Sequence, residues 1–117
     1  MPGVIVLSDQ LTASDSDILQ GSRLQTVPQG GFLTFEFSAE ECSTTNNGKV
    51  SIQMPNGDTP LNDVLIPGNG YSESVGVLNA NSKMQITLPV QQGGHAVVSY
   101  TETGTTVTTY RITYTPA

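Results

Sequence analysis

The stretch Phe32-Leu33-Thr34-Phe35-Glu36-Phe37 decides the fold class. Leu33, Phe35 and Phe37 fall on one side of an extended chain, and Phe32, Thr34 and Glu36 fall on the other. A period of two marks a half-buried strand, because successive side chains of a strand point to opposite faces. The same period recurs outward from this stretch. Upstream, Arg23 to Val27 reads as a short strand around Leu24. Downstream, Val50, Ile52 and Met54 alternate with Ser51 and Gln53, and Leu61 to Ile66 is a more continuous apolar run. Tyr71, Glu73, Val75 and Val77 share a face, as do Met84, Ile86 and Leu88, and then Ala96, Val98 and Tyr100. Finally Thr108, Tyr110, Ile112 and Tyr114 oppose Val107, Thr109, Arg111 and Thr113.

Between these runs lie residues that tolerate tight turns. Asn46-Asn47-Gly48 and Asn56-Gly57 read as hairpin turns, which demand positive φ. Pro67-Gly68-Asn69-Gly70 reads as a loop, Gln92-Gly93-Gly94 as a turn, and Thr103-Gly104 as the closure of a last hairpin. The expected fold is all-β: a single-domain antiparallel β-sandwich or jelly roll of about eight strands. The strand order stays open, because local pattern does not fix pairing. Residues 1–20 stand apart as an N-terminal arm or a first strand, ahead of a sandwich domain at 21–117. They hold the apolar tetrad Val4 to Leu7, then Asp9, Asp15 and Asp17, with no basic residue before Arg23.

Composition removes several function classes. The chain has 117 residues, 10 acidic against 4 basic side chains and a formal net charge of −6. Too few cations are present to neutralise phosphates, so nucleic acid and anionic membranes are not expected partners. No run approaches the roughly 18 apolar residues of a membrane span. Met1 to Leu7 lacks the basic segment of a secretory leader, so the expectation is synthesis in a cytoplasm. A single cysteine, Cys42, allows no disulfide within the chain. Ser, Thr, Asn and Gln together make 41 residues, so the expected surface is neutral and polar rather than charged.

Candidate chemistry is sparse. Asp15-Ser16-Asp17 resembles half of a calcium loop, but Thr26 stands where the bidentate Glu would be needed. These carboxylates read better as turn caps. His95 has no second His or Cys nearby to build a metal site. Beside Cys42, Glu40 and Glu41 supply negative charge where a reactive cysteine needs positive charge. Glu36, Asp63, Glu73 and Glu102 fall on polar faces or strand ends, unlike the paired carboxylates of a glycosidase. The expectation is a protein with no catalytic residues, no metal and no cofactor. Tyr110 and Tyr114 lie on one strand face and offer a ligand platform, or else pack in the core.

Phe32 and Val107 give their strands apolar residues on both faces, which points to cover by a neighbouring chain. With its arm at Met1 to Leu19 and the looped connections Asn56-Gly57-Asp58 and Pro67-Gly68-Asn69-Gly70, the chain resembles bacteriophage capsid cement (decoration) proteins and is similar to small head-fibre domains. The resemblance implies a virion location and non-catalytic binding over the major capsid protein as a symmetric homo-oligomer, often a trimer. Val4, Ile5, Val6, Leu7, Asp9, Asp15 and Asp17 are then the candidate capsid or subunit contacts. The alternative is a carbohydrate- or receptor-binding module of a tail fibre, head fibre or adhesin, with Tyr110 and Tyr114 as its platform.

Overall fold

Leu33, Phe35 and Phe37 are fully buried, each at 0% exposure, so the deciding stretch keeps its expected inner face. The computed structural model describes residues 3–68 and 83–117. Among them are seven strands: β1 (Ile5–Leu11), β2 (Gly31–Ala39), β3 (Asn47–Gln53), β4 (Leu61–Leu65), β5 (Met84–Val90), β6 (Val97–Thr103) and β7 (Thr108–Pro116). The run at Tyr71 to Leu78 lies outside the described residues.

The strands pair antiparallel in two sheets, ordered β1-β7-β2-β5 and β4-β3-β6. The segment Asp15–Ile18 lies along the free side of β6. Asp15 exchanges backbone hydrogen bonds with Tyr100 at 2.9 and 2.8 Å, and the Ile18 N–H donates to the Val98 carbonyl at 2.8 Å. With this segment as a fourth position, successive described strands lie in opposite layers except β3 and β4. That is the double Greek-key winding of a jelly roll. Phe35, Phe37, Val50, Ile52, Tyr100, Ile112 and Tyr114 fill the space between the layers. Burying a side chain such as Phe35 contributes about 2–3 kcal/mol.

Close approach explains one glycine. A Cβ on Gly48 would stand 2.6 Å from Cε1 of the Tyr100 ring. Burial pushes the Tyr100 phenol well above its ordinary pKa; its Thr108 bond opposes the shift and its Glu102 bond adds to it.

Two expectations change. Arg23 to Val27 is not a strand. Ser22 and Gln25 N–H groups bond back to the Leu19 and Ser22 carbonyls, and the Ser22 hydroxyl accepts from Leu24 N–H, so local turns satisfy the backbone. Leu24 and Val27 still plug the core, at 0% and 1% exposure. Asn46 to Gly48 and Thr103-Gly104 are not hairpin turns, because β2 and β3, and again β6 and β7, belong to opposite sheets. Asn56-Gly57 does close a hairpin. There φ is +93° at Gly57, and Met54 bonds to both Gly57 and Asp58. Of the two readings of the N-terminal segment, an arm or a first strand, Ile5–Leu11 takes the strand, since β1 pairs with β7 from Ile5↔Tyr114 to Leu11↔Thr108.

Glu36 faces outward from β2 yet is buried, with the Lys83 ammonium at 2.8 Å and an Arg111 guanidinium nitrogen at 3.8 Å. Removing a buried charge from a paired cluster leaves its partners uncompensated. Glu36→Gln is expected to cost about 1–2 kcal/mol in urea unfolding. An unchanged midpoint would show that the two cations are satisfied by water alone.

Candidate functional site

Strand parity sorts the N-terminal residues. Ile5 and Leu7 turn inward and pack partly buried against the core. Val4 and Val6 turn outward and are exposed, at 60% and 44%. Across the sheet, Val6 stands opposite Thr113, which stands opposite Thr34, which stands opposite Thr87. One row further, Phe32 lies between Thr115 and Pro89 and is 45% exposed. The Thr34 and Thr87 hydroxyls bond at 3.0 Å and leave their methyls on the surface. The strand side chains of these rows are uncharged; charges border them at Arg111 and Glu36 in the next row and at the β1 edge, where the Arg23 guanidinium donates to the Val6 carbonyl at 3.2 Å. The outer face of the β1-β7-β2-β5 sheet therefore ends in an uncharged, methyl-rich patch.

The three candidate aspartates sit in different settings. Asp9 is exposed on β1, opposite Tyr110, and burial, then Asp9 and Asp15, raise the Tyr110 phenol pKa. Asp15 Oδ1 accepts from Asp17 N–H at 3.1 Å. Asp17 Oδ1 accepts from Leu19 N–H at 3.1 Å and from Val98 N–H at 3.2 Å, while its Oδ2 meets His95 Nε2 at 3.0 Å. The other ring nitrogen, Nδ1, meets the Gln25 carbonyl. Two acceptors on one ring favour the doubly protonated form. The Gln25 carbonyl first, and then Asp17, hold the His95 pKa above its ordinary value, against the pull of partial burial. This node ties residues 15–25 to the start of β6.

Other candidates separate. Cys42 lies in the loop before Asn47, which is opposite Thr103 at the far end of β6, whereas His95 precedes β6. A seven-residue strand spans about 23 Å, so the two side chains do not meet. Tyr114 is at 0% exposure, and its hydroxyl donates to the Gln29 carbonyl at 2.9 Å. Tyr110 packs against the core. Tyr114 is thus a core residue, and Tyr110 is partly buried beside it. Glu102 accepts from the Tyr100 hydroxyl, Asp63 sits in a β4 bulge with φ at +55°, and Glu73 is outside the described residues. Among the described residues no three His, Cys, Asp or Glu side chains are grouped to hold a metal ion.

Sequence reasoning missed one feature. At the end of the sandwich beside Phe32, the β3–β4 hairpin and the β5–β6 turn face each other across a groove of about 830 Å³. Pro55, Pro60, Pro89 and Leu88 form its walls, with Gln91 and Gln92 at its rim. The signal was Pro89 within an alternating run, since proline in a sheet marks an edge strand.

The architecture places the chain among jelly-roll sandwiches. It is similar to a chain in the acidic stable capsid structure of Helicobacter pylori bacteriophage KHP30, with a TM-score of 0.52 and 7% identity, covering 99% of this chain and 90% of that one. It also matches part of the mosquito-larvicidal Cry4Aa toxin from Bacillus thuringiensis, with a TM-score of 0.43, 11% identity, and 94% and 18% of the two chains covered. A third match is the CBM22-1 xylan-binding domain from Paenibacillus barcinonensis Xyn10C, with a TM-score of 0.38, 12% identity, and 100% and 85% covered. At these identities the likeness is one of fold. No protein-family model matches the chain, and no curated protein sequence does.

Proposed function

We propose that this chain is a structural virion protein: a cement or decoration protein that binds the outer surface of a capsid shell as a homo-oligomer. Its partners are the major capsid protein and further copies of itself. Its role involves no catalysis, cofactor, nucleic acid or membrane, and it is made in the host cytoplasm. The observation that carries this reading is the uncharged outer patch of Val4, Val6, Phe32 and the threonine rows. The whole-chain likeness in fold to a phage capsid chain supports it.

On a chain of net charge −6, a patch of uncharged side chains whose nearby Glu36 is paired with Lys83 and Arg111 is the region where approach to another acidic surface meets the least repulsion. The patch spans four strands about 4.8 Å apart and two side-chain repeats of roughly 7 Å, on the order of 300 Å². A free-standing interface buries about 800 Å² per partner. One such patch is therefore a weak contact, and strength comes from repetition: an oligomer presenting several patches to a regular lattice gains by effective concentration.

Phe32→Glu and Val6→Glu replace exposed side chains, so unfolding free energies are expected to stay within about 1 kcal/mol of the wild type. Cosedimentation with expanded shells should weaken at least about tenfold. A chain that is strictly monomeric by light scattering and does not pellet with shells would sink the reading. So would variants that pellet like the wild type.

A further inference from the structure

The sandwich manages its strand edges unequally. A bare edge offers unpaired N–H and C=O groups to any other strand. The free side of β6 is covered by Asp15–Ile18. β4 is five residues long and bends at Asp63, where φ is +55°. β1 is seven residues long and has no proline, no glycine and no positive φ. Backbone parity fixes which of its groups face out. The Ala117 N–H donates to the Gly30 carbonyl and the Glu40 N–H to the Val107 carbonyl, so the odd-numbered residues of β7 bond to β2. The even-numbered ones then bond to Ile5, Leu7, Asp9 and Leu11 of β1. Val6, Ser8 and Gln10 therefore turn their N–H and C=O groups away from β7, along the open edge. The same parity turns the odd-numbered residues of β5 outward, and one of them is Pro89, which has no N–H to offer.

Two of the outward groups of β1 are capped by charged side chains. The Arg23 guanidinium donates to the Val6 carbonyl at 3.2 Å, and Asp9 Oδ1 accepts from the Gln10 N–H at 2.8 Å. Ser8 lies midway between the caps, and among the described residues nothing bonds its outward N–H and C=O. This edge is complementary to itself. A second copy, laid antiparallel about a two-fold axis through Ser8, brings each Val6 opposite Gln10 of the other copy. Backbone bonds then form between the two Ser8 residues and at both Val6–Gln10 pairs. Each Val6 carbonyl exchanges its Arg23 for a Gln10 N–H, and each Gln10 N–H leaves its Asp9. The released Arg23 of one copy and the released Asp9 of the other lie at the same position and carry opposite charge. A foreign strand without an acid and a base at these places leaves both caps unpaired, so the caps select a second copy. The two-fold axis also keeps each side of the sheet on its own side. Val4 and Val6 of both copies then share one outer face.

We propose that two copies of this chain pair through their β1 edges about a two-fold axis at Ser8, joining two four-stranded sheets into one continuous sheet. This names the surface that forms the homo-oligomer of the proposed function and rests on that part of it, while shell binding is independent. The test is analytical ultracentrifugation of the full chain at about 100 μM, a concentration suited to a contact of this small size. The wild type should sediment as a dimer. Asp9→Arg and Arg23→Asp change exposed side chains. Each sets like charges together at both ends of the pairing, so each alone should dimerise at least about tenfold more weakly. Mixed one to one, the two variants restore opposite charges at both ends and should form a heterodimer. Ser8→Pro removes the central donor, which the β1–β7 ladder does not use, and should give a monomer that keeps the wild-type circular dichroism. A wild type that stays monomeric overturns the inference. So do single charge variants that associate as tightly as the wild type or tighter, and so does a mixture that stays monomeric. A wild type that oligomerises and ignores all three substitutions overturns pairing through β1 and leaves the homo-oligomer standing. A dimer that these substitutions break, but that does not pellet with shells, supports pairing through β1 and overturns shell binding.

Discussion

Tyr114→Ala is expected to destabilise the protein by about 3–5 kcal/mol, the range for truncating a large buried aromatic. Tyr114 has no exposed surface, stands opposite Leu33 and Ile5 in the register, and packs in the main core. The substitution removes its contacts and leaves a cavity that the two sheets cannot fully close. Domains of this size are stable by about 5–15 kcal/mol, so a large part of the total is at stake. Tyr114→Phe separates shape from polarity. It keeps the ring but leaves the Gln29 carbonyl without its 2.9 Å donor, at a cost of about 1–2 kcal/mol. Urea unfolding followed by circular dichroism measures both. An exposed sugar platform would behave otherwise, losing ligand on Tyr114→Ala with little change in unfolding. A loss below about 1 kcal/mol would remove Tyr114 from the core.

The core was legible because it is written in parity. Leu33, Phe35 and Phe37, and likewise Val50 and Ile52, repeat every two residues, and burial on one face needs nothing more than that. Phe32 was legible for the same reason, as the apolar residue on the wrong face. Connections were less legible. Asn56-Gly57 and Thr103-Gly104 are both turn signals, yet one closes a hairpin and the other crosses between sheets. Turn residues specify backbone angles, not which layer the chain enters next. Leu24 and Val27 show a further limit. They are buried, but by turns that fold over the end of the sandwich, where periodicity has no meaning. The groove was illegible because it joins residues 54–60 to 88–94, and only the sheet order brings them together. The two-acceptor setting of His95 depends on contacts 70 and 78 residues away in sequence.

Asp17→Ala is expected to cost about 2–3 kcal/mol, and to weaken the pH dependence of stability as well. Asp17 accepts from two backbone N–H groups, of Leu19 and Val98, and from His95. Hydrogen bonds to a charged group contribute about 1.5–3 kcal/mol each in isolation, but water replaces part of this at a half-open site. What is lost is the carboxylate that fixes residues 15–19 along β6 and covers that strand's free side. An uncovered edge also invites pairing with other chains, so the variant should aggregate more readily on heating. The pH effect follows from His95. Its folded pKa lies above the ordinary 6.5, through the Gln25 carbonyl first and Asp17 after it. Its stabilising contribution is therefore fully present below about pH 6.5 and is lost as pH rises through the higher folded value. Wild-type stability should fall over that window, and the fall should vanish in His95→Gln. In Asp17→Ala the Gln25 carbonyl remains, so the fall should shrink without vanishing. NMR titration of the ring gives the direct reading: an apparent pKa above 6.5 in the wild type, moving down in Asp17→Ala. A ring that titrates at 6.5 or below in the folded wild type would break the link between this node and pH.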